Sequence, residues 1–431
     1  MSKAQTANTD LIKRIIFTVF ILLVYKFGTF VPIPGINSDV ISKFFSSESA
    51  NIFGMVNMFS GGALERMSIF ALNIMPYITA SIIMQLLTSM HKGLESLKKD
   101  GEKGRAKVNQ YTRYLTILIA IFQAFGVYQA LSSTGMSAFI TNDNVYIWTT
   151  MVSLVGGTII LMWFGEKITT SGIGNGISLI IFVGIISSLP DTIIQMLDLS
   201  KKGVYSKFYV ILFFIFFTCA IAFVCFFEKT QRKIKIQYPN SAMLRSSGNQ
   251  DHSFLPLKIN ISGVIPPIFA SSVLTFPVAI MQIFGVDIEN SFMVSLLQRG
   301  GAVYLLLFAV MIIFFSYFYS SIVFNSQEVA GNLKKNNCFI FGIRPGTATS
   351  DYLDKIISKL TIFGSAYLII ICITPEIIVG KTAIPLYIGG TGVLIMVNVA
   401  IDLIAQIQSY NLANKYNSGN LRKRKLKVRM R

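Results

Sequence analysis

The sequence predicts an all-α protein that crosses a membrane many times. Three observations lead to this fold class. Of the 431 residues, 53% are hydrophobic and only 13% are charged, and the mean hydropathy is +0.60. The apolar residues form runs long enough to cross a bilayer as helices, for which about 20 residues are needed. The charged residues cluster between those runs, as in membrane proteins whose loops stay in water.

Ten apolar runs reach this length, so ten membrane spans are expected. The first run follows Lys13 and Arg14, as the apolar core of a signal peptide would. It ends in VPIPG and lacks a small-residue cleavage site, so we interpret it as a retained span. The expected limits of the ten spans are 15–31, 68–90, 114–132, 147–165, 176–196, 208–227, 262–284, 302–324, 360–379 and 384–407.

The basic residues indicate on which side of the membrane each loop lies. With the N-terminus placed inside, most Lys and Arg residues fall in inside loops and in the two termini, as the positive-inside rule describes. We therefore expect both termini to be cytoplasmic, and we attribute the net charge of +18 to topology rather than to nucleic-acid binding. The only basic residues in the outside segments are Lys43, Arg66, Lys201, Lys202, Lys207, Arg299 and Lys381.

The spans divide the chain into an N-terminal half, 1–200, with spans one to five, and a C-terminal half, 201–415, with spans six to ten. Because five is an odd number, the second half enters the membrane from the opposite side, which permits an inverted repeat. The two halves show no clear sequence similarity. Two long polar loops, 228–261 and 325–359, are expected in the cytoplasm, either as docking surfaces or as plain solvated loops. A basic tail follows at 416–431.

The composition argues against an enzyme, a metal site or a charge-coupled transporter. Ionisable residues are nearly missing from the centres of the spans, where transporters and pumps usually place them. The four cysteines form no CxxC pair and only two histidines are present, so neither zinc nor a disulfide framework is expected. We therefore expect no enzyme activity and no cofactor. The alternative is a secondary transporter with inverted repeats.

One glycine-rich stretch, GIGNGIS at 172–178, looks at first like a phosphate-binding loop. It lacks the preceding strand of a dinucleotide fingerprint, and no Lys-Ser or Lys-Thr pair follows it, so nucleotide binding is not expected. Its glycines are instead expected to begin span five and to allow a neighbouring helix to approach closely.

Several long motifs occur in a specific order along nearly the whole chain. They are VPIPG at 31–35, NMFSGGAL at 57–64, SIFALNIMPYITASIIMQLL at 68–87, QYTRY at 110–114, GIGNGIS at 172–178, LPLKIN at 255–260, NLKK at 332–335 and GIRPG at 342–346. Together they resemble the SecY family, the central channel subunits of the bacterial Sec protein translocase. The resemblance implies ten transmembrane helices in two inverted five-helix halves around a central pore, with a short plug helix.

In that family a ring of aliphatic side chains closes the pore. Spacing alone shows only that Ile74 and Ile78 share one helix face, as do Ile177 and Ile181, which is equally typical of ordinary packing. An apolar constriction resists ions by dewetting, and it accepts an extended chain of any sequence. By resemblance, the ring consists of Ile74, Ile78, Ile177, Ile181, Ile268 and Ile395.

The resemblance also assigns a plug and a lateral gate. The plug is a short helix at about 52–66, with Gly61 and Gly62 as its hinge before span two. An ordinary re-entrant segment buried in protein is the alternative. The gate lies between spans two and three on one side and spans seven and eight on the other. Polar residues at matching positions, which side-chain packing explains equally well, are Thr79, Gln123 and Asn175.

The partners implied by the resemblance are SecE and SecG-type small membrane subunits, the motor ATPase SecA, the ribosome, signal-bearing preproteins and membrane lipids. The two long loops correspond to docking surfaces for the ribosome and SecA, with Arg344 in GIRPG and Arg245 as contact residues. The chain departs from the family at Ser246, where a second basic residue is common, so weaker ribosome contact is expected there. The basic tail either binds anionic lipid or ribosomal RNA, or is simply solvated.

The resemblance thus predicts a passive channel in the bacterial inner membrane. It would move unfolded preproteins across the bilayer and release membrane segments laterally into it. The energy would come from outside the chain, through elongation by the ribosome or ATP hydrolysis by SecA.

Overall fold

The computed structural model describes residues 3–34, 60–133, 143–203, 206–237, 253–283, 301–382 and 389–429. Helices occupy all ten predicted span positions. They are α1 (Lys3–Gly28), α2 (Met75–Met90), α4 (Glu102–Ser133), α5 (Asp143–Ser171), α6 (Gly176–Lys201), α7 (Lys207–Lys229), α8 (Ile265–Ile283), α9 (Ala302–Val323), α11 (Thr347–Thr382) and α12 (Gly390–Arg429). The other described elements are the short helices α3 (Lys92–Lys99) and α10 (Ser326–Lys335) and the strands β1 (Gln231–Gln237), β2 (Ser253–Lys258) and β3 (Phe339–Ile340).

The helices have the length and composition of membrane spans. A helix rises about 1.5 Å per residue, so a bilayer core of about 30 Å requires about 20 residues. Within the described residues, 6 helical segments are both long enough and apolar enough to cross a membrane, and their mean hydropathies range from 1.7 to 3.0. Met75–Met90 and the first part of α8, Ile265–Leu274, are also apolar. The chain is therefore a multi-pass membrane protein.

Span two begins as a helix later than predicted. The apolar stretch 68–74 forms turns, and α2 begins at Met75 with Pro76 in its first turn, where the missing backbone N–H costs nothing. Asn73 adopts a positive φ of 50°, a conformation that Asn tolerates better than most residues. The chain therefore bends within an apolar segment before it enters the helix.

The second long loop is more structured than predicted. α10 and β3 lie within 325–359, and α11 begins at Thr347 rather than near 360. Asn325 caps α10, because its side-chain oxygen accepts a hydrogen bond of 3.2 Å from the N–H of Glu328. The backbone of the basic tail is likewise helical through Arg429, as part of α12.

The first long loop contributes to a small antiparallel sheet, which the all-α prediction did not include. β1 lies between β2 and β3, with Ile234 opposite Leu255 and Ile236 opposite Ile340. Ile234 and Ile236 are buried while the other β1 residues are exposed, the alternation of a half-buried strand. Because β1 and β3 come from different loops, their pairing joins the two loops into one sheet.

The residue contacts divide the chain into two compact units. The first contains Met1–Val210, Thr275–Gln298 and Pro385–Arg431, and the second contains Ile211–Leu274 and Arg299–Ile384. α12 belongs to the first unit, where it packs on α1 and α6, although it lies in the predicted C-terminal half. The inverted relation of the two halves stays a prediction.

The core of the first unit is built from α1, α5, α6 and the segment that leads into α2. Its fully or nearly buried members are Ile21, Tyr25, Phe70, Ile74, Leu161, Ile168, Leu179 and Ile180. The Tyr25 ring is 1% exposed and stacks on Phe70 with 6.1 Å between centroids, a contact that contributes about 0.5–1.5 kcal/mol beyond its buried area. This core holds the starts of α2 and α6 in place.

The core of the second unit lies between the sheet and α11. Buried side chains of the strands meet buried side chains of the helix, and they are Ile234, Leu257, Ile340, Leu353, Ile356 and Leu360. The sheet is thereby anchored on the first turns of α11, so the two joined loops have a fixed base.

Candidate functional site

Two of the predicted ring residues mark the start of α2. Ile74 is the N-cap and Ile78 follows one turn later, with the N–H of Ile78 donating to the carbonyl of Ile74 at 3.0 Å. Ile74 is 1% exposed and belongs to the core of the first unit, whereas Ile78 packs against that core and stays partly exposed. Both residues therefore take part in the same buried cluster, and a common helix face stays a prediction.

Two more ring residues lie in the first turns of α6. Ile177 is the second residue of that helix, and Ile181 lies one turn further along. Ile177 packs against the same core cluster as Ile74 and Ile78, and Ile181 is 7% exposed. Three of the predicted ring residues therefore contact one buried cluster.

The last two ring residues are divided between the units. Ile395 lies in the second turn of α12 and is 3% exposed, and α12 packs on α6. Ile268 lies in α8, is partly buried, and belongs to the second unit. A ring that closes through all six side chains stays a prediction.

The glycines before α6 have the two functions that the sequence predicted for them. Gly176 begins the helix, and a Cβ there would lie 2.1 Å from the carbonyl oxygen of Gly165 on α5. Gly174 adopts a positive φ of 87°, which favours glycine. The expectation that these glycines begin span five and allow close helix approach is confirmed.

The predicted plug lies mostly outside the described residues, and its described part, from residue 60, contains the two hinge glycines. Gly61 and Gly62 have positive φ values of 65° and 81°. A Cβ on Gly61 would lie 2.6 Å from the Ser187 hydroxyl and 2.9 Å from the Gly184 carbonyl of α6, whereas Gly62 has open space. Gly61 is therefore a packing point on α6, and a hinge movement at these glycines stays a prediction.

Arg66, which sequence reasoning did not select, lies at the end of the predicted plug segment and anchors it. Its guanidinium carbon lies 4.4 Å from the ring centroid of Phe30, and its Nη2 lies 4.0 Å from a carboxylate oxygen of Asp191. The backbone N–H of Ile33 donates to Met67 and that of Ile69 donates to Val31, at 2.9 and 3.1 Å. The VPIPG motif thus holds the approach to α2.

The three predicted gate residues do not bond to one another within the described residues. Thr79 donates to the carbonyl of Met75 at 3.1 Å, and Asn175 caps α6 by accepting the N–H of Ile177 at 3.2 Å. Gln123 is partly buried on α4. Asn175 therefore acts in helix capping, and a gate function for the three residues stays a prediction.

The predicted docking residue Arg344 is exposed in the turn between β3 and α11. Gly342 and Gly346 flank it with positive φ values of 77° and 114°, and its carbonyl accepts a hydrogen bond of 2.9 Å from Thr349. The turn is thus shaped by its backbone while the guanidinium remains accessible. Arg245 and Ser246 lie outside the described residues.

A second ion pair was also missed by sequence reasoning. Arg113 of the QYTRY motif donates to both carboxylate oxygens of Glu166, which lies on α5. Within the part of the chain that the structure describes, no three His, Cys, Asp or Glu side chains are grouped as metal ligands would be.

Comparison with known proteins decides the family. The SecY family model matches residues 68–404, most of the chain. The chain belongs to the SecY family. The protein translocase subunit SecY of Rickettsia typhi is 49% identical over 429 residues, which cover 98% of this chain and 99% of that protein. The protein translocase subunit SecY of Escherichia coli K12 is 44% identical over 423 residues, covering 97% and 95%.

Solved structures share the fold of this SecY-family chain. A structure described as a protein conducting channel superposes with a TM-score of 0.69 at 18% identity, covering 93% of each chain. Sec61 from a canine ribosome-channel complex of the endoplasmic reticulum gives 0.66 at 18% identity, again covering 93% of each chain. A structure of SecY whose plug domain is described as stabilising the closed state gives 0.67 at 18% identity, covering 93% of this chain and 92% of that one.

Proposed function

We propose that this chain is the pore-forming subunit of a protein-conducting channel. One observation carries the proposal: the relatives named protein translocase subunit SecY match it over nearly the whole length, with 49% identity in Rickettsia typhi. The channel is passive, and it moves unfolded preproteins across the bacterial inner membrane and releases membrane segments laterally. Both termini lie in the cytoplasm, as the basic loops favour.

The physical basis of closure is an apolar constriction. Five of the proposed ring residues, Ile74, Ile78, Ile177, Ile181 and Ile395, belong to the first unit, and the sixth, Ile268, belongs to the second. Aliphatic side chains form no hydrogen bonds or ion pairs with an extended polypeptide, so the open ring admits a chain of any sequence. The closed ring excludes ions because its apolar lining is dewetted.

The channel takes its energy and its membrane partners from other proteins. SecE and SecG-type subunits accompany it in the membrane, and SecA or the ribosome docks on the joined cytoplasmic loops. The exposed Arg344 and the exposed Lys233 and Lys235 of β1 support docking there, because cationic side chains bind carboxylates or phosphates. Preproteins enter when a signal sequence opens the gate between spans two and three and spans seven and eight.

A crosslinking experiment tests the pore. A photoreactive residue replaces Ile78 and a stalled, signal-bearing preprotein is added to membranes. The control position is Leu87, which lies nine residues later on α2, about half a turn around the helix, and is 43% exposed. We expect a preprotein adduct at position 78 that requires the signal sequence, and none at position 87. If position 78 reaches only neighbouring helices or lipid while export runs normally, the ring is ordinary packing and a small-solute transporter becomes the better interpretation.

The docking surface is tested with the same method. A photoreactive residue at position 344 is expected to crosslink to SecA, whereas one at Lys359, exposed on α11, serves as the control. Equal labelling at both positions would remove Arg344 from the docking surface and leave the pore assignment untouched.

A polar substitution tests closure itself. Ile395→Asn introduces a side chain that water solvates, so we expect more export of preproteins with defective signal sequences and more ion leak. Ile404→Asn is the control, because Ile404 lies nine residues later on α12 and is 54% exposed. If Ile395→Asn changes neither the export of preproteins with defective signal sequences nor the ion leak, Ile395 lies outside the ring.

A further inference from the structure

The turn that leads into α6 is held by side chains. A helix leaves its first backbone N–H groups without partners in the helix, and here four N–H groups around the helix start each donate to a side-chain oxygen. The pairs are Ile173 to Thr18 at 3.1 Å, Gly174 to Gln406 at 2.9 Å, Gly176 to Thr169 at 2.9 Å and Ile177 to Asn175 at 3.2 Å. The position of the start of α6 is therefore set by these four acceptors.

Two of the four acceptors come from distant parts of the chain. Thr169 and Asn175 are local, whereas Thr18 lies on α1 and Gln406 lies on α12, 155 and 232 residues from their donors. They tie the turn to two other helices of the same unit.

The Thr18 contact is buried and tight. Thr18 is 6% exposed and Ile173 is 3% exposed. The Thr18 hydroxyl donates to the carbonyl of Arg14 at 2.8 Å, which leaves its lone pairs for the N–H of Ile173. A Cβ on Gly172 would lie 2.4 Å from the Thr18 oxygen, so only glycine allows this approach. A buried N–H that lost this acceptor would find no water to replace it.

The Gln406 contact lies at the end of a continuous stripe on α12. The stripe consists of Ile395, Val399, Leu403 and Gln406, whose spacings of four, four and three residues place them on one helix face. Val399 and Leu403 pack against the core that includes Leu179 and Ile180 of α6. The same face of α12 therefore begins with a ring residue and ends with the side chain that holds the turn.

We propose that Thr18 and Gln406 are positioning residues for the pore ring. They fix the start of α6 relative to α1 and α12, and so hold Ile177 and Ile181 in register with Ile395. Each helix residue advances about 1.5 Å along the helix axis and about 100° around it. A small shift at the start of α6 therefore moves the side chains of both Ile177 and Ile181 away from the positions in which they close the pore. This inference rests on the proposed channel function.

The test removes the acceptor oxygens and then restores them. Thr18→Val and Gln406→Leu keep approximate size without the acceptor, whereas Thr18→Ser and Gln406→Glu keep an oxygen at the same place. Export of a preprotein with a defective signal sequence and ion leak are measured in membranes that contain equal amounts of channel. We expect Thr18→Val to raise both by about fivefold, the factor that one net hydrogen bond supplies, and Gln406→Leu to raise both by a smaller factor, because water can replace this exposed acceptor. The Ser and Glu variants are expected to match the parent.

The matched control is Thr158→Val. Thr158 is 2% exposed, and among the described residues its hydroxyl bonds only the carbonyl of Leu154 in its own helix, at 3.0 Å. We expect Thr158→Val to leave unchanged both the ion leak and the export of preproteins with defective signal sequences. If it raises them as much as Thr18→Val does, loss of a buried hydroxyl is sufficient and the positioning assignment is wrong. The same holds if the Ser and Glu variants leak as strongly as the Val and Leu variants.

Ile395→Asn, measured in parallel, separates the inference from the function on which it rests. If Ile395→Asn loosens closure and the Thr18 and Gln406 variants do not, the positioning inference fails and the channel stands. If none of the three loosens closure, the ring assignment itself fails. When Thr18→Val is combined with Ile395→Asn, we expect little further leak because both act on one ring, and a fully additive leak would overturn the inference.

Discussion

The guanidinium of Arg113 on α4 donates two hydrogen bonds, both 2.7 Å long, to the carboxylate of Glu166 on α5. The two residues are 53 positions apart, and their helices pack against each other. Charge-assisted hydrogen bonds are roughly twice as strong as neutral ones, and the bidentate geometry adds further energy and specificity. The two side chains are 47% and 29% exposed, so solvent screens part of the attraction.

We predict that this pair stabilises the packing of α4 on α5 by about 1 kcal/mol. Arg113→Leu and Glu166→Gln should each lower the unfolding temperature of the purified protein. The decrease in the double variant should be smaller than the sum of the two single decreases. The pair Lys201 and Asp198 is the control, because its 3.4 Å contact joins side chains that are 79% and 53% exposed within one helix. A coupling energy no larger than about 0.3 kcal/mol, the value expected for that exposed pair, would contradict the prediction.

Two adjacent glycines on α5 should respond in opposite directions to the same substitution. A Cβ on Gly157 would lie 2.0 Å from the carbonyl oxygen of Ile69, whereas a Cβ on Gly156 would meet nothing within 4 Å. Gly156→Ala should raise the free energy of unfolding by about 0.5–1 kcal/mol, because alanine restricts the unfolded chain. Gly157→Ala should lower it by about 1–3 kcal/mol, because the backbone must move to admit the methyl group. Thermal unfolding measures both changes, and equal effects would show that Ile69 does not approach α5 this closely.

The helices could be predicted from the sequence because a spanning helix has a simple signature. Runs such as 208–227 contain about 20 apolar residues between polar flanks, and the structure has a helix, α7, at that position. The start of α2 was misplaced because the turns at 68–74 are as apolar as the helix that follows. Pro76 was the local signal that a helix begins nearby.

The sheet and the contacts around α6 depend on distant residues and were missed for that reason. The alternation of Lys233, Ile234, Lys235 and Ile236 indicates a strand, but β1 needs partners from two other segments to form. A threonine such as Thr18 gives no local sign that its hydroxyl accepts an N–H from a residue 155 positions away. The ring residues could be predicted only by resemblance, since spacing shows a helix face and not its use, and the ring stays a prediction.

The two glycines at the end of the plug should differ in their tolerance of a side chain. Both have positive φ values, which cost about 1–2 kcal/mol for alanine. Only Gly61 also meets the backbone of Gly184, at 2.9 Å from a Cβ. We therefore predict that Gly62→Ala lowers the free energy of unfolding by about 1 kcal/mol and that Gly61→Ala lowers it by about 2–4 kcal/mol. Thermal unfolding gives the comparison, with Gly62→Asn expected to lie near the parent because Asn accepts this conformation.

Asn260 closes the base of the three-stranded sheet. Its side-chain amide donates to a carboxyl oxygen of Glu228 at 2.8 Å and to the carbonyl of Gly263 at 3.0 Å, and its oxygen accepts from Ser262 at 3.2 Å. Asn260 and Glu228 are 3% and 5% exposed. Because Glu228 lies in the last turn of α7 and Asn260 follows β2, this contact joins the two ends of the segment that carries β1 and β2.

We predict that Asn260→Leu lowers the free energy of unfolding by about 2–3 kcal/mol, since the buried carboxyl of Glu228 then has one donor fewer. Asn260→Asp should lower the free energy of unfolding by at least as much, because two carboxyl groups then face each other in a buried site. Thr218→Val is the control, because Thr218 is exposed and its hydroxyl donates to the carbonyl of Phe214 in its own helix. It should change stability by less than about 0.5 kcal/mol. Hydrogen exchange of the β1 amides provides the second measurement. Faster exchange in Asn260→Leu would accompany loss of the closing contact, whereas unchanged exchange together with unchanged stability would show that the sheet is held by its apolar core alone.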